Sequence, residues 1–184
     1  MKKVKNRLIF AILSLLIFFF GLLLITSCEE DETKTDPMVG TYAFVSATLA
    51  ENLMYEDELL APSGTDVYVV IGQGMFGNSP CDNILNSAVE LRKNNEIYFV
   101  CIGEANELKA GTWSINDERT ILTLNLSPPA VTGALSLLVT SLVEGANSFT
   151  GTIANLPVPS ELFQLPAGGV LLLTINIEFN KLSN

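Results

Sequence analysis

An antiparallel all-β domain, closed as a barrel or stacked as a sandwich, is the fold class this sequence predicts for residues 38–184. Three observations carry that expectation. Short runs rich in Val, Ile, Leu, Thr and aromatic residues alternate with turn residues; no long stretch repeats its apolar residues at helical spacing; and the final run alternates apolar and polar residues one by one. Counting the candidate runs leads to about nine strands, with the barrel leaving fewer open edges than a lone sheet. The 147 residues from Met38 onward are enough for one domain with its own core.

The chain opens with Lys2, Lys3, Lys5 and Arg7, and an uncharged stretch dominated by Leu, Ile and Phe follows over residues 8–25. That stretch is longer than the ~7–15 residues of an ordinary secretory core and approaches the ~20 of a spanning helix, so length alone leaves a signal helix and an anchor both open. The run Leu24-Ile25-Thr26-Ser27-Cys28 that closes it resembles a bacterial lipobox. The resemblance implies a signal peptide over residues 1–27, cleavage before Cys28, and a diacylglyceryl group of the palmitate type on the Cys28 thiol. A protein with two or three acyl chains is held at a membrane persistently, because each buried methylene contributes roughly 0.8 kcal/mol. Removing residues 1–27 takes away four of the ten basic residues and none of the twenty acidic ones, leaving 6 against 20 and a net charge of −14. Such a chain repels nucleic acid, so no nucleic-acid partner is expected.

Residues 28–37 contain Glu29, Glu30, Asp31 and Glu32 and then only polar residues and a proline, the composition of a flexible acidic tether. Two readings stand side by side. The charge keeps the tether extended and off an anionic bilayer. Alternatively, an acidic tract behind a lipidated cysteine resembles a surface export signal of some Gram-negative lipoproteins. Both place the protein at the cell outer membrane, facing outward in the second case and open to a periplasmic orientation in the first. A calcium loop is disfavoured, because four consecutive carboxylates lack the ligand spacing and the turn glycine of an EF-hand.

Within the domain, residues 40–48 read as a strand, residues 51–60 as a short helix, and residues 66–72 as a further strand. Residues 86–93 and 96–102 form a hairpin around Asn94-Asn95, with Val89 facing Val100. A second hairpin joins residues 111–115 to 120–126 through Asn116-Asp117-Glu118-Arg119, with Trp113 facing Leu122. Residues 135–143 and 148–154 are weaker strands. In the last strand Leu171, Leu173, Ile175, Ile177 and Phe179 face a core, while Leu172, Thr174, Asn176, Glu178 and Asn180 face outward.

Met38-Val39-Gly40-Thr41-Tyr42-Ala43-Phe44-Val45-Ser46, followed in mid-chain by Gly111-Thr112-Trp113-Ser114-Ile115, resembles the lipocalin-like domain of bacterial lipoproteins. Tyr42 stands where that family commonly has Trp. The resemblance covers roughly residues 38–182 and implies one up-and-down, calycin-like barrel of about eight strands. It implies little about ligand, since fold does not decide function.

Cys81 and Cys101 form an even pair in a chain bound for an oxidising compartment, and a disulfide between them is expected. The chain has no histidine, so Ser-His-Asp and Cys-His catalysis are excluded; with no CxxC spacing either, no metal and no cofactor is expected. Glu56-Asp57-Glu58 reads as a solvated loop and not as a catalytic carboxylate pair, and the expectation is a protein that is not an enzyme.

Three loops carry apolar residues that water disfavours: residues 73–80, 127–133 and 156–169. In the first and third, Met75, Phe76, Leu162, Phe163 and Leu165 are the candidate contacts for a ligand or partner, with plugging of the barrel end as the plainer role. The functional expectation is a non-catalytic module that binds a small apolar or amphipathic molecule. The alternative is an interaction lipoprotein whose barrel is filled and whose loops dock an envelope protein.

Overall fold

A computed structural model describes residues 35–183; the apolar run, Cys28 and the tether up to Lys34 lie outside the described residues. The strands are β1 (Gly40–Leu49), β2 (Leu53–Tyr55), β3 (Glu58–Ala61), β4 (Ser87–Leu91), β5 (Glu96–Cys101), β6 (Glu107–Ile115), β7 (Leu122–Leu126), β8 (Leu135–Glu144), β9 (Ser148–Pro159) and β10 (Val170–Lys181). Among the described residues one α-helix, α1 (Tyr68–Phe76), lies between β3 and β4, together with the 3-10 turns Ile84–Asn86 and Ser160–Phe163. Eight strands close an antiparallel barrel in the order β1-β10-β9-β8-β7-β6-β5-β4, and β2 and β3 form a separate two-stranded sheet. Each barrel strand lies beside its successor in the chain, with β2, β3 and α1 inserted between β1 and β4. The described residues thus form an all-β, up-and-down barrel.

β1 closes the barrel with two partners. Its first residues pair with β4, from Gly40↔Leu91 to Ala43↔Ala88, and its length from Tyr42 to Leu49 pairs with β10. Beyond Ala43 the β4 side of β1 is covered by a returning segment, where Val67 N–H donates to Ala47 O at 2.9 Å and Leu49 N–H to Thr65 O at 2.9 Å. That segment corrects the strand expected over residues 66–72. Only its start pairs with β1; the Asp66 carboxylate accepts from Tyr68 N–H at 2.8 Å and starts a helix. The β-branched run Val67, Val69, Val70 and Ile71 favours a strand by propensity, but packing overrides it. Ile71 and Phe76 are buried, and Tyr68 stacks on Phe44 with centroids 5.1 Å apart.

The short helix expected over residues 51–60 is also corrected, because β2 and β3 form a hairpin there. Its two-residue turn holds Glu56 and Asp57 at φ 48° and 67°. Asp57 tolerates a positive φ but Glu56 does not favour one, and the pair lacks the Asn-Gly or Asp-Gly order that marks such a turn in sequence.

The hairpin of β4 and β5 is offset by one residue from the predicted pairing: Val89 faces Phe99, not Val100. The loop has three residues rather than two. Asn95 N–H donates to Arg92 O at 3.0 Å, Arg92 N–H to Glu96 O at 2.9 Å, and Asn95 adopts φ 63°. A one-residue slip exchanges the faces of a strand, so Ile97, Phe99 and Cys101 point inward in place of Tyr98, Val100 and Ile102. In the β6–β7 hairpin the offset is two residues, with Trp113 facing Leu124. A shift of two preserves the faces, and Trp113, Leu122, Leu124 and Leu126 are buried as the pattern requires. On β10 all five residues predicted to face the core are buried.

The interior is filled by an aromatic column. Tyr42 meets Phe149 at 5.1 Å, Phe149 stacks on Phe179 at 4.9 Å, Phe179 meets Phe44 at 5.1 Å, Phe44 meets Phe76 at 6.2 Å, and Phe76 meets Phe99 at 5.2 Å. Large rings on inward faces of an eight-stranded barrel leave little space between them, since that strand number is only just wide enough for side chains.

At the end where β1 begins, the chain is clamped. Arg119 donates to both oxygens of Asp36 at 2.9 and 3.0 Å and to both oxygens of Glu144 at 2.7 Å, and the Lys181 ammonium donates to Pro37 O at 3.0 Å. Asp36 and Pro37, expected to belong to the tether, therefore pack with the barrel unit, which starts at Asp36. The Arg119 guanidinium holds the Asp36 carboxyl below its usual pKa of 3.8. A carboxylate depressed in the folded state stabilises fully above its unfolded pKa, and that contribution is lost as pH falls through the lower folded value. About 1 kcal/mol of stability is expected to disappear below about pH 4 for this reason, a modest figure because both partners are roughly one-third exposed. Urea midpoints measured down to acid pH check it: Asp36→Asn should flatten that part of the curve, and an unchanged acid limb contradicts the assignment.

Candidate functional site

The two ends of the barrel differ in chemistry. The end with the clamp bears a broad depression of about 770 Å³ bounded by Thr41, Glu90, Arg92, Lys93, Asn147 and Lys181 among others. Two of its three cations are already engaged. Arg92 pairs with Glu90 at 2.6 Å and Glu107 at 2.5 Å and lies 3.6 Å over the Tyr98 ring, while Lys181 is held by Pro37 O.

The opposite end carries α1, the β7–β8 loop, the β9–β10 loop and both cysteines. Here the barrel wall parts. β8 pairs with β9 only from Val139↔Ile153 to Glu144↔Phe149, so Leu135–Leu138 on one side and Leu156–Pro159 on the other have no partner across the gap. Their outer neighbours hold them in place: β7 pairs with β8 from Leu126↔Leu135, and β10 pairs with β9 through Leu173↔Leu156 to Val170↔Pro159. Pro157 and Pro159 explain why the gap does not zip shut, because proline has no N–H to give a neighbouring strand and is tolerated only on a free edge. The residues predicted as the first part of a 14-residue loop are thus an edge extension of β9.

A cleft of about 380 Å³ occupies this seam. Leu135, Leu137, Leu156 and Val158 form its walls, residues 131–134 one rim, and Val70, Ile71, Gly74 and Met75 of α1 its cover. No charged side chain lines it. By contrast, a space enclosed by inward-facing side chains such as Phe99, Phe149 and Phe179 is about 20 Å³, room for about one water molecule.

All three apolar segments singled out from sequence contribute to the cleft, through Gly74 and Met75, residues 131–133 and residues 156–159, but of the five candidate contact residues Met75 alone lines it. Phe76 is 3 % exposed and belongs to the aromatic column. Leu162, Phe163 and Leu165 pack half-buried against the core, on and just after the 3-10 turn that follows β9, and do not reach the cleft. The prolines of residues 156–159 were the available signal for the seam, but nothing local says which strand they border.

Cys81 and Cys101 lie at disulfide distance, with Cα atoms 5.4 Å apart and a sequence separation of 20. Four residues separate Phe76 from Cys81, so the pair ties the chain leaving α1 to the rim of β5. Labelling of the non-reduced protein should find neither thiol free, and two labelled thiols reject the bridge. Replacing both by serine is expected to cost about 3 kcal/mol, the loop-closure entropy returned to the unfolded chain.

Cys28 and the lipobox-like run before it lie outside the described residues. Comparison of the chain with protein-family models, curated proteins and solved structures finds no match.

Proposed function

We propose that this protein is a lipid-anchored, non-catalytic binding module of the outer membrane, and that it takes a small apolar or amphipathic molecule in the seam between β8 and β9. The single observation that carries the ligand reading is the contrast between a filled interior of about 20 Å³ and an uncharged cleft of about 380 Å³ at its mouth. The latter falls within the ~300–1,000 Å³ of ligand sites. Two parted strand edges whose prolines prevent pairing supply a permanent opening, and an apolar wall without charges rewards an alkyl or ring system by area removed from water. The lipobox residues ending at Cys28 support the anchor, and the resemblance to lipocalin-like lipoproteins is consistent with the barrel.

The test is a displacement titration with a fluorescent amphiphile on the purified chain, combined with mass spectrometry of material extracted from its native membrane. Saturable binding that Val70→Glu weakens at least tenfold is the expected result, because it places a charge in the cover of the cleft. Equal binding by the variant removes the seam from consideration. Labelling by palmitate that Cys28→Ser abolishes is expected for the anchor, and protease shaving of intact cells reports which way the domain faces.

A second reading draws on the filled interior and on exposed Met54 and Leu59 of the β2–β3 hairpin, 50 % and 55 % accessible. In it the barrel is a scaffold that docks another envelope protein. A constant crosslinked partner with no co-extracted small molecule favours that role.

A further inference from the structure

We infer that Met75 is the stop that sets how long an apolar chain the seam accepts, and that the ligand is a single unbranched alkyl or acyl chain. This rests on the binding role proposed above. Met75, Leu126 and Leu137 border both the cleft and the small space inside the barrel. Leu126 and Leu137 belong to the wall, on β7 and β8, and simply run from one space into the other. Met75 is the only helix residue that touches both, so it divides them.

The partition is yielding. Methionine is unbranched, with three rotatable side-chain bonds and a polarisable sulfur, and shifts between rotamers at little cost. Gly74 beside it is exposed, with no heavy atom within 4 Å of the position a Cβ would take, so it adds no bulk to the cover next to Met75. Beyond Met75 the remaining space of about 20 Å³ is bounded by side chains such as Phe99, Phe149 and Phe179. A ring system cannot end there, whereas the last methylene of a straight chain can. Because no charge lines the cleft, a polar head stays at the outer rim and the tail points inward.

A straight-chain fatty acid carrying a photoreactive diazirine on its terminal carbon, bound to the unaltered full chain, tests this directly. Crosslinking at Met75 is the expected result; label confined to other seam residues overturns the inference. Length profiles give a second readout. Affinity for saturated fatty acids should rise about fourfold per methylene up to a limit and then stop. Met75→Ala should move that limit to longer chains and Met75→Phe to shorter ones. Unchanged limits in both variants overturn the stop while leaving the seam as a binding site. Absence of saturable binding by the unaltered chain overturns the binding role and this inference together.

Discussion

Phe179→Ala is expected to lower the free energy of unfolding by about 4 kcal/mol, within the ~3–5 kcal/mol of a fully buried aromatic truncation. Phe179 is 1 % exposed and occupies the middle of the aromatic column, stacked on Phe149 and in contact with Phe44. Its removal takes away the transfer free energy of the ring, leaves a cavity bounded by strands that cannot close on it, and breaks two ring–ring contacts worth about 0.5–1.5 kcal/mol each. Domains of this size are stable by only about 5–15 kcal/mol, so the loss is large. Urea denaturation measures it, and a change under about 1 kcal/mol means that the barrel interior relaxes far more freely than close packing allows. Phe179→Leu, which keeps most of the volume, should cost markedly less.

Gly111→Ala is expected to cost as much or more. Gly111 has φ 155°, and a Cβ placed on it would sit 1.8 Å from the carbonyl oxygen of Asn125 and 2.9 Å from its carbon. Both are backbone atoms of the paired strand β7, so no rotamer change relieves the overlap. Either the β6–β7 ladder separates or β6 rotates, and Trp113 two residues on then loses the hydrogen bond from its indole N–H to Arg92 O at 3.0 Å. Gly40→Ala is the informative control. It has φ 154°, but the nearest atom is Cε of Lys181 at 2.3 Å, the far end of a flexible side chain. Its cost should stay near the ~1–3 kcal/mol of a strained backbone position. Thermal unfolding of the two variants distinguishes them, and equal losses contradict the difference in surroundings. Both Gly-Thr-aromatic segments thus owe their glycine to the backbone conformation that starts an inward-facing aromatic.

Much of this architecture was legible because it is local. The alternation on β10 predicts its buried face residue by residue, and Trp113 with the leucines of β7 share a face whether the register is right or off by two. The failures are equally specific. Asn94-Asn95 fits a two-residue and a three-residue loop equally well, and that single residue decided whether Ile97 and Phe99 or Tyr98 and Val100 enter the core. Val67 to Ile71 has strand propensity and a helical fold, because Phe44 and the open side of β1 offer a helix something to cover. Of the candidate contacts, Met75 reaches the cleft; Phe76 one residue later turns into the core, a separation of about 100° around the helix that only its docked orientation could assign.

By itself, the sequence determined the chemistry of each segment: an apolar start ending at Cys28 in a lipobox-like run, an acidic stretch behind it, a β-rich domain with no histidine, and a cysteine pair able to meet. Only the tertiary structure decided where the barrel closes, which faces of β4 and β5 meet, that Asp36 belongs to the folded domain through Arg119, and that β8 and β9 part around a cleft. The physical reason is the range of the interactions. Side-chain alternation and turn chemistry act over a few residues, whereas register, closure and the seam are set by pairings between strands remote in sequence, and a one-residue difference in a loop changes them entirely.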